Sequence, residues 1–380
     1  MRSKFFAAVA AAVALVALAE PSASAARSTS AGNEKAAACP GGTLLTAVSA
    51  RRLPAGSTAY TYKLQDGTSF ESIAHPAGFN PATASSALLT ELNLPQRPAG
   101  AAARRAWDAQ VAPFSRSRIS GAGQFCENKS IAEPEAATAE PKSATAEQPA
   151  VSAAPLASAG GYTSFSGYEL QSGRYEKVVG HFKQPSVSAG NGGRMSDWIG
   201  LNGTTNGSGD RLIQAGMDSP LGRPFWELYC SGGSSSGCNS AQVDSKSAAS
   251  PGADVSVSVS FNPATLMSYY AVSINGSEVV NVEYQMRAGS HSGDVADFLT
   301  ERPSGSPIPL FGAIQFSGSR TYTVWNSNTS VPFGSQKIYA YEMTNNGVFY
   351  APPCSTSSHI MMYPNHITSG GFANNFCRTL

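Results

Sequence analysis

Two stretches of the chain concentrate side chains able to exchange protons at a reacting centre. Ser196–Cys230 carries Gln214, Asp218 and Glu227, and Ala296–Pro303 carries Glu301. Both read as extended chain, in which residues two apart share a face. Leu212, Gln214, Gly216 and Asp218 then line one side of their segment, with Ile213 and Met217 on the other. Phe225, Glu227 and Tyr229 lie together, as do Asp297, Leu299 and Glu301, the latter set opposed by Phe298 and Thr300. An amide beside a carboxylate can hold a water, take its proton and bind the oxyanion that forms. Two carboxylates such as Glu227 and Glu301 could instead hydrolyse a glycosidic bond, given a separation of about 5–9.5 Å. A third use is glycan binding on Trp198, Trp226 and polar loops. Against all three stands a plain reading. A single Gln or Glu on a strand is most often solvated surface, buried Trp is most often core, and Asn202, Gly203 and the Gly/Ser run at 231–237 serve turns.

The other common catalytic systems fit poorly. There is no GxSxG elbow and no HExxH, and the five histidines are scattered. All six cysteines can pair, which disfavours a thiol nucleophile. Fifteen connectivities are possible; closeness in the chain favours Cys230–Cys238 and Cys354–Cys377, leaving Cys39–Cys126. No CxxC pair or Cys/His cluster calls for a metal, and no cofactor is expected.

The elements that must position these groups are short strands. EKVVGHFKQP, SDWIGLNG, RLIQAGMD, FWELYC, DVSVSVSFN, SYYAVSING, EVVNVEYQM, VADFLTERP, FGAIQFSGS, RTYTVWN and KIYAYEMT follow one another between Gly, Pro, Asn and Ser. In Asp254–Phe261 the apolar residues alternate strictly, and Asn275–Gly276 marks a hairpin. So many strands with no helix between them predict an all-β, two-layer antiparallel sandwich over residues 161–380. A small α+β unit precedes it at 26–130, with a hairpin turning at Asp66–Gly67 and short helices near Ala84–Pro95 and Ala101–Val111. Between them, 131–160 is an Ala/Pro/Glu-rich linker without aromatic residues, read as disordered and open to proteolysis. Residues 1–25 have the basic, apolar and small-residue pattern of a secretory signal peptide, so the mature protein is expected outside the cell. A net charge of +1, with 13% charged residues, gives no reason to expect nucleic acid or a membrane surface as partner.

DWIGLNG, LIQAGMD, FWELY and ADFLTERP, in this order on a Gly/Ser-rich chain, resemble the glutamic peptidases, the G1 or eqolisin family. The opening FKQPSV (Phe182–Val187) is similar to the start of that family's catalytic domain, and the likeness covers roughly Gly161 to Thr344. It implies a lectin-type double sheet that hydrolyses polypeptides in acid with a Gln–Glu pair, here Gln214 and Glu301. Glu301 would take a proton from water, Gln214 would hold the oxyanion, and no covalent intermediate would form. Asp218 and Glu227 would support them, and Trp198, Asn202 and Trp226 would line the cleft. Two departures affect substrate preference more than reaction type. Asn202 stands where the family usually has Asp, and Phe225-Trp226-Glu227-Leu228 replaces a Trp-Tyr-Glu-Trp strand. The 26–130 unit is similar to a segment ahead of the peptidase domain in bacterial members and is read as a propeptide. A monomer acting on unfolded polypeptide is the expected working form.

Overall fold

The strictly alternating segment forms a strand whose valines (255, 257 and 259) are buried between two sheets, while its serines face the other way. This is the computed structural model of the protein. It describes residues 39, 42–119, 124–128, 156–162, 164–171, 173–188, 192–201, 211–230, 239–243, 245–286, 293–303, 306–331, 337–346, 348, 350, 352–355, 357–365, 367 and 371–378. Twenty strands join in one hydrogen-bonded network arranged as two layers. The first layer runs β1 (Thr43–Leu45), β5 (Phe125–Asn128), β12 (Asn239–Val243), β11 (Arg223–Cys230), β10 (Arg211–Ser219), β9 (Met195–Leu201), β16 (Ala296–Glu301), β7 (Phe165–Gln171) and β18 (Lys337–Thr344). A parallel strand, β6 (Leu156–Tyr162), pairs with β18. The second layer runs β2 (Ser49–Arg52), β3 (Thr58–Lys63), β4 (Ser69–Ala74), β15 (Ser277–Gln285), β14 (Met267–Ile274), β13 (Asp254–Asn262), β8 (Lys177–Lys183), β17 (Ala313–Tyr322) and β20 (Phe372–Phe376). The last strand, β19 (Ile360–Pro364), pairs with both β20 and β18 and so links the layers.

The expected all-β sandwich is therefore present, with local differences. FGAIQFSGS and RTYTVWN are one strand, β17, whose pairing to β8 shifts between Ser317 and Arg320 around Gly318 at φ 57°. The last residues of the presumed linker belong to β6, because pairing to β18 is available to them. The signal-peptide region and 129–155 lie outside the described residues. Both hairpins turn where the residues foretell. Gly67 has φ 83°, and Asn275 and Gly276 have φ 51° and 68°, values that suit a tight two-residue turn.

The N-terminal segment does not stand apart. β5 extends the first layer beside β12 and β4 extends the second beside β15. Phe70, Tyr62 and Phe125 enter the core between the layers, where Phe70 meets Trp226 edge-on at 4.8 Å. Helices α1 (Ser86–Glu91) and α2 (Ala101–Val111) build a second small core with Ile73, Leu89, Trp107 and Phe114, against which Ala271 of β14 packs. Two disulfides match the expected pairs, Cys39–Cys126 and Cys354–Cys377. The third expected pair involves Cys238, which lies outside the described residues. No helix among the described residues is long and apolar enough to cross a membrane.

Candidate active site

The face of the first layer turned away from the second gathers the reactive groups, and strand pairing fixes their order. One row across the sheet reads Glu227, Gln214, Gly200, Asp297 and Glu169. A parallel row, four residues further along, reads Arg223, Asp218, Ser196, Glu301 and Phe165. Between them lies an apolar band of Phe225, Trp198 and Leu299. Gly216 sits in that band because nothing larger fits: a Cβ there would come within 2.1 Å of the Asp197 carbonyl oxygen. The Gln-x-Gly spacing thus lets β10 lie close against β9 beside Trp198.

Gln214 and Glu301 share this face but are not directly opposed. They stand two strands apart and four residues out of step, yet Glu301 feels the charge of Glu227, the hydrogen-bond partner of Gln214. Each is held by another side chain. Gln214 Nε2 donates to Glu227 Oε2 at 2.7 Å, while its Oε1 is buried without a partner among the described residues. The Trp198 indole N–H donates to Glu301 Oε2 at 2.9 Å. Asp218 accepts from Arg194 at 2.9 Å. Asn202 lies outside the described residues. Trp226 does not line this face: alternation in β11 turns it inward, fully buried against Tyr270, Tyr284 and Phe70 in the inter-sheet core.

Burial dominates the electrostatics. It pushes Glu301 up to about 8, helped by the charge of Glu227 and opposed by the Trp198 hydrogen bond. The cause is its setting in the assembled sheet, where the group is 2% exposed. Two acids were not assigned a role from the sequence. Asp297 is fully buried with neither oxygen hydrogen-bonded among the described residues, and burial with the charges of Glu169 and Glu301 holds it well above the ordinary range. Glu169 accepts from Gln171. Asp297 was visible as a face-mate of Glu301, whereas Glu169 lies on β7, whose Gly167 interrupts any clear alternation. On the core side, Thr300 donates to Asp197 at 2.8 Å and Asn374 donates to Thr300 at 3.0 Å, tying β16 to β9 and β20 beneath Glu301.

Two consequences can be measured. Glu301 near 8, with Asp197, Glu283 and Glu342 each raised to about 7, means the native state keeps protons that the unfolded chain releases. Their contribution to stability is then full below the unfolded values near 4 and declines as pH rises, until each group has passed its folded value of about 7 to 8. Urea unfolding at pH 4, 6 and 8 should give falling midpoints; a flat series would mean these carboxyls are solvated. Trp198→Phe removes the contact that lowers Glu301, so the Glu301 titration, followed by carboxyl-carbon NMR, should move to higher pH. An unmoved titration would deny that the indole acts on this carboxyl.

Fold and site together define a β-sandwich that buries an amide and several carboxyls on one sheet face. The Peptidase A4 family model matches residues 163–362, more than half the chain, and the chain belongs to that family. It is a glutamic-type endopeptidase, a hydrolase of polypeptides. No curated protein matches it. Among solved structures it is similar to scytalido-glutamic peptidase with a transition state analog inhibitor, at 14% identity and TM-score 0.42, over 56% of this chain and 98% of that one. It is also similar to SCP-B, a member of the eqolisin family in complex with the tripeptide Ala-Ile-His, at 15% identity and TM-score 0.41, over the same shares of the two chains.

Proposed function

We propose that this peptidase acts outside the cell in acid, with Gln214 and Glu301 directing a water onto the scissile carbonyl without a covalent intermediate. The observation that carries the reading is the setting of Glu301: a fully buried carboxyl, fixed by Trp198, within electrostatic reach of the Glu227 that holds Gln214. A group near 8 is protonated throughout the acid range, so the cycle begins from the acid rather than from the carboxylate. Glu301 gives its proton to the carbonyl oxygen as water adds to the carbon. The resulting carboxylate takes the proton released by that water, leaving a neutral tetrahedral diol and a restored carboxylic acid. Glu301 next protonates the leaving amine, and recovers a proton from a diol hydroxyl as the carbonyl reforms and the C–N bond breaks. Gln214 supplies the amide that orients water and hydrogen-bonds the carbonyl oxygen while partial negative charge gathers on it, ahead of full proton transfer. Asp218 and Glu227 keep Arg194 and Gln214 in place. Hydrolysis of an unfolded protein from pH 2 to 7 tests the scheme. A rate that rises steadily across that range up to pH 7 would mean that the ionised carboxylate is the working form.

Secretion rests on the signal-like first 25 residues and on disulfides, which persist in oxidising compartments. Processing at the linker completes the proposal. The 26–130 segment supplies edge strands to both layers and aromatic rings to the core, so cutting the linker should leave it seated. After limited proteolysis, both fragments should co-elute in gel filtration at pH 4 and pH 7. Separate elution would mark the segment as a propeptide that leaves on activation.

A further inference from the structure

On the back of the second layer, remote from the reactive face, the N-terminal segment roofs a pocket. Its floor includes Lys177, Ser258, Ser260 and Tyr269, and its roof includes Leu92–Pro95 and Gln110 of α2. It is small, with room for little more than a water-sized group. β8 turns Lys177 outward from the core because Val178 faces inward, and pairing places Tyr322 on one side of it and Ser260 on the other. The lysine is 3% exposed and lies along the Tyr322 ring, 5.5 Å from its centre. Among the described residues its ammonium makes no ion pair.

A buried ammonium without a counter-charge is costly, and burial accordingly draws Lys177 down to about 8. It is still charged at any pH below that. The carboxylates nearby are committed elsewhere: Glu278 to His75 at 2.8 Å and Asn281 at 3.1 Å, Glu283 to Asn93 at 3.1 Å, and Glu176 to the Trp325 backbone N–H at 3.2 Å. Asn93 Oδ1, an acceptor, and the Tyr270 hydroxyl also line the pocket, buried without a partner among the described residues. Ser258 and Ser260 present hydroxyls, and Gln110 Nε2 is buried without a partner.

We infer that this pocket binds a small monovalent anion, a halide or a short carboxylate, with Lys177 as counter-charge and Ser260 and Gln110 as hydrogen-bond donors. Because Lys177 belongs to the sandwich and Gln110 to α2, the anion also fastens the N-terminal segment to the back of the second layer. The inference is independent of the catalytic scheme, since none of these residues lies on the reactive face.

Sodium chloride and sodium acetate, each titrated into the full-length protein at pH 5, should raise the melting temperature saturably. Lys177→Met keeps the length of the side chain without its charge; it should melt higher than the unsubstituted protein at low salt and lose the saturable rise. Saturation by chloride alone, or at much lower acetate concentration, identifies the halide or the carboxylate. Equal responses in the two proteins would place anion binding elsewhere, and no saturable rise with either salt would overturn the site. If Lys177→Met fails to accumulate, Ser260→Ala removes one donor and should raise the half-saturating concentration roughly 5–10-fold. An unchanged midpoint there would also count against the site.

Discussion

Glu301→Gln is expected to lose at least about a thousandfold in kcat/KM while becoming more stable at pH 7. One positioned acid–base group commonly contributes ~10²–10⁴ in rate, and Glu301 is asked to move protons in both halves of the reaction. The substitution is nearly isosteric, and the amide oxygen can still accept from the Trp198 indole, so the sheet has no reason to rearrange. The stability gain follows from linkage. At pH 7 the native carboxyl, near 8, holds a proton that the unfolded carboxyl, near 4.5, has released. That mismatch costs about 3 kcal/mol, and glutamine does not titrate. The two readouts therefore move in opposite directions, which a merely misfolded variant cannot imitate. Activity that survives with higher stability would keep the electrostatic account and move the chemistry to another acid, with Asp297 the first to test.

The fold was legible in the sequence where local preferences and tertiary pairing agree. Val255, Val257 and Val259 alternate because one face meets the core, and Asn275–Gly276 turns because both residues accept positive φ. Pairing partners decided the rest. Phe372–Phe376 has two asparagines and is a strand only because β17 and β19 flank it. Leu156–Tyr162 is rich in Ala and Gly and is a strand only because β18 offers an open side. In the N-terminal segment β4 was legible as one arm of the Asp66–Gly67 hairpin, but its place beside β15, and that of β5 beside β12, depends on partners far along the chain. In the site, alternation placed Gln214, Asp218, Glu227 and Glu301 on their faces, but it cannot give register. Register puts Asp297 in line with Gln214, and Asp218 in line with Glu301. Trp226 shows the limit of a motif-based transfer: a tryptophan in the right strand is one residue out of phase with the reactive face. The altered proton affinity of Glu301 was hidden as well, since burial belongs to the assembled sheet.

Gln214→Ala is the second large effect, with an expected loss of ~10²–10³ in kcat, the usual consequence of deleting one preorganised oxyanion donor. KM should change little, because that hydrogen bond strengthens as charge develops on the oxygen rather than when substrate first binds. The alternative is that Gln214 only packs the face and occupies Glu227. Truncation would then act through Glu227, whose charge helps raise Glu301, and would appear as a shifted pH profile with an almost unchanged maximum. The two cases separate cleanly in a double variant. If Gln214 and Glu301 serve one transition state, Gln214→Ala should cost far less in the Glu301→Gln background than alone. Additive losses would mean that the two side chains, two strands apart and four residues out of step, do separate jobs. A Gln214→Ala protein retaining more than about a tenth of the activity would remove the amide from the chemistry altogether, leaving the buried carboxyls to account for it.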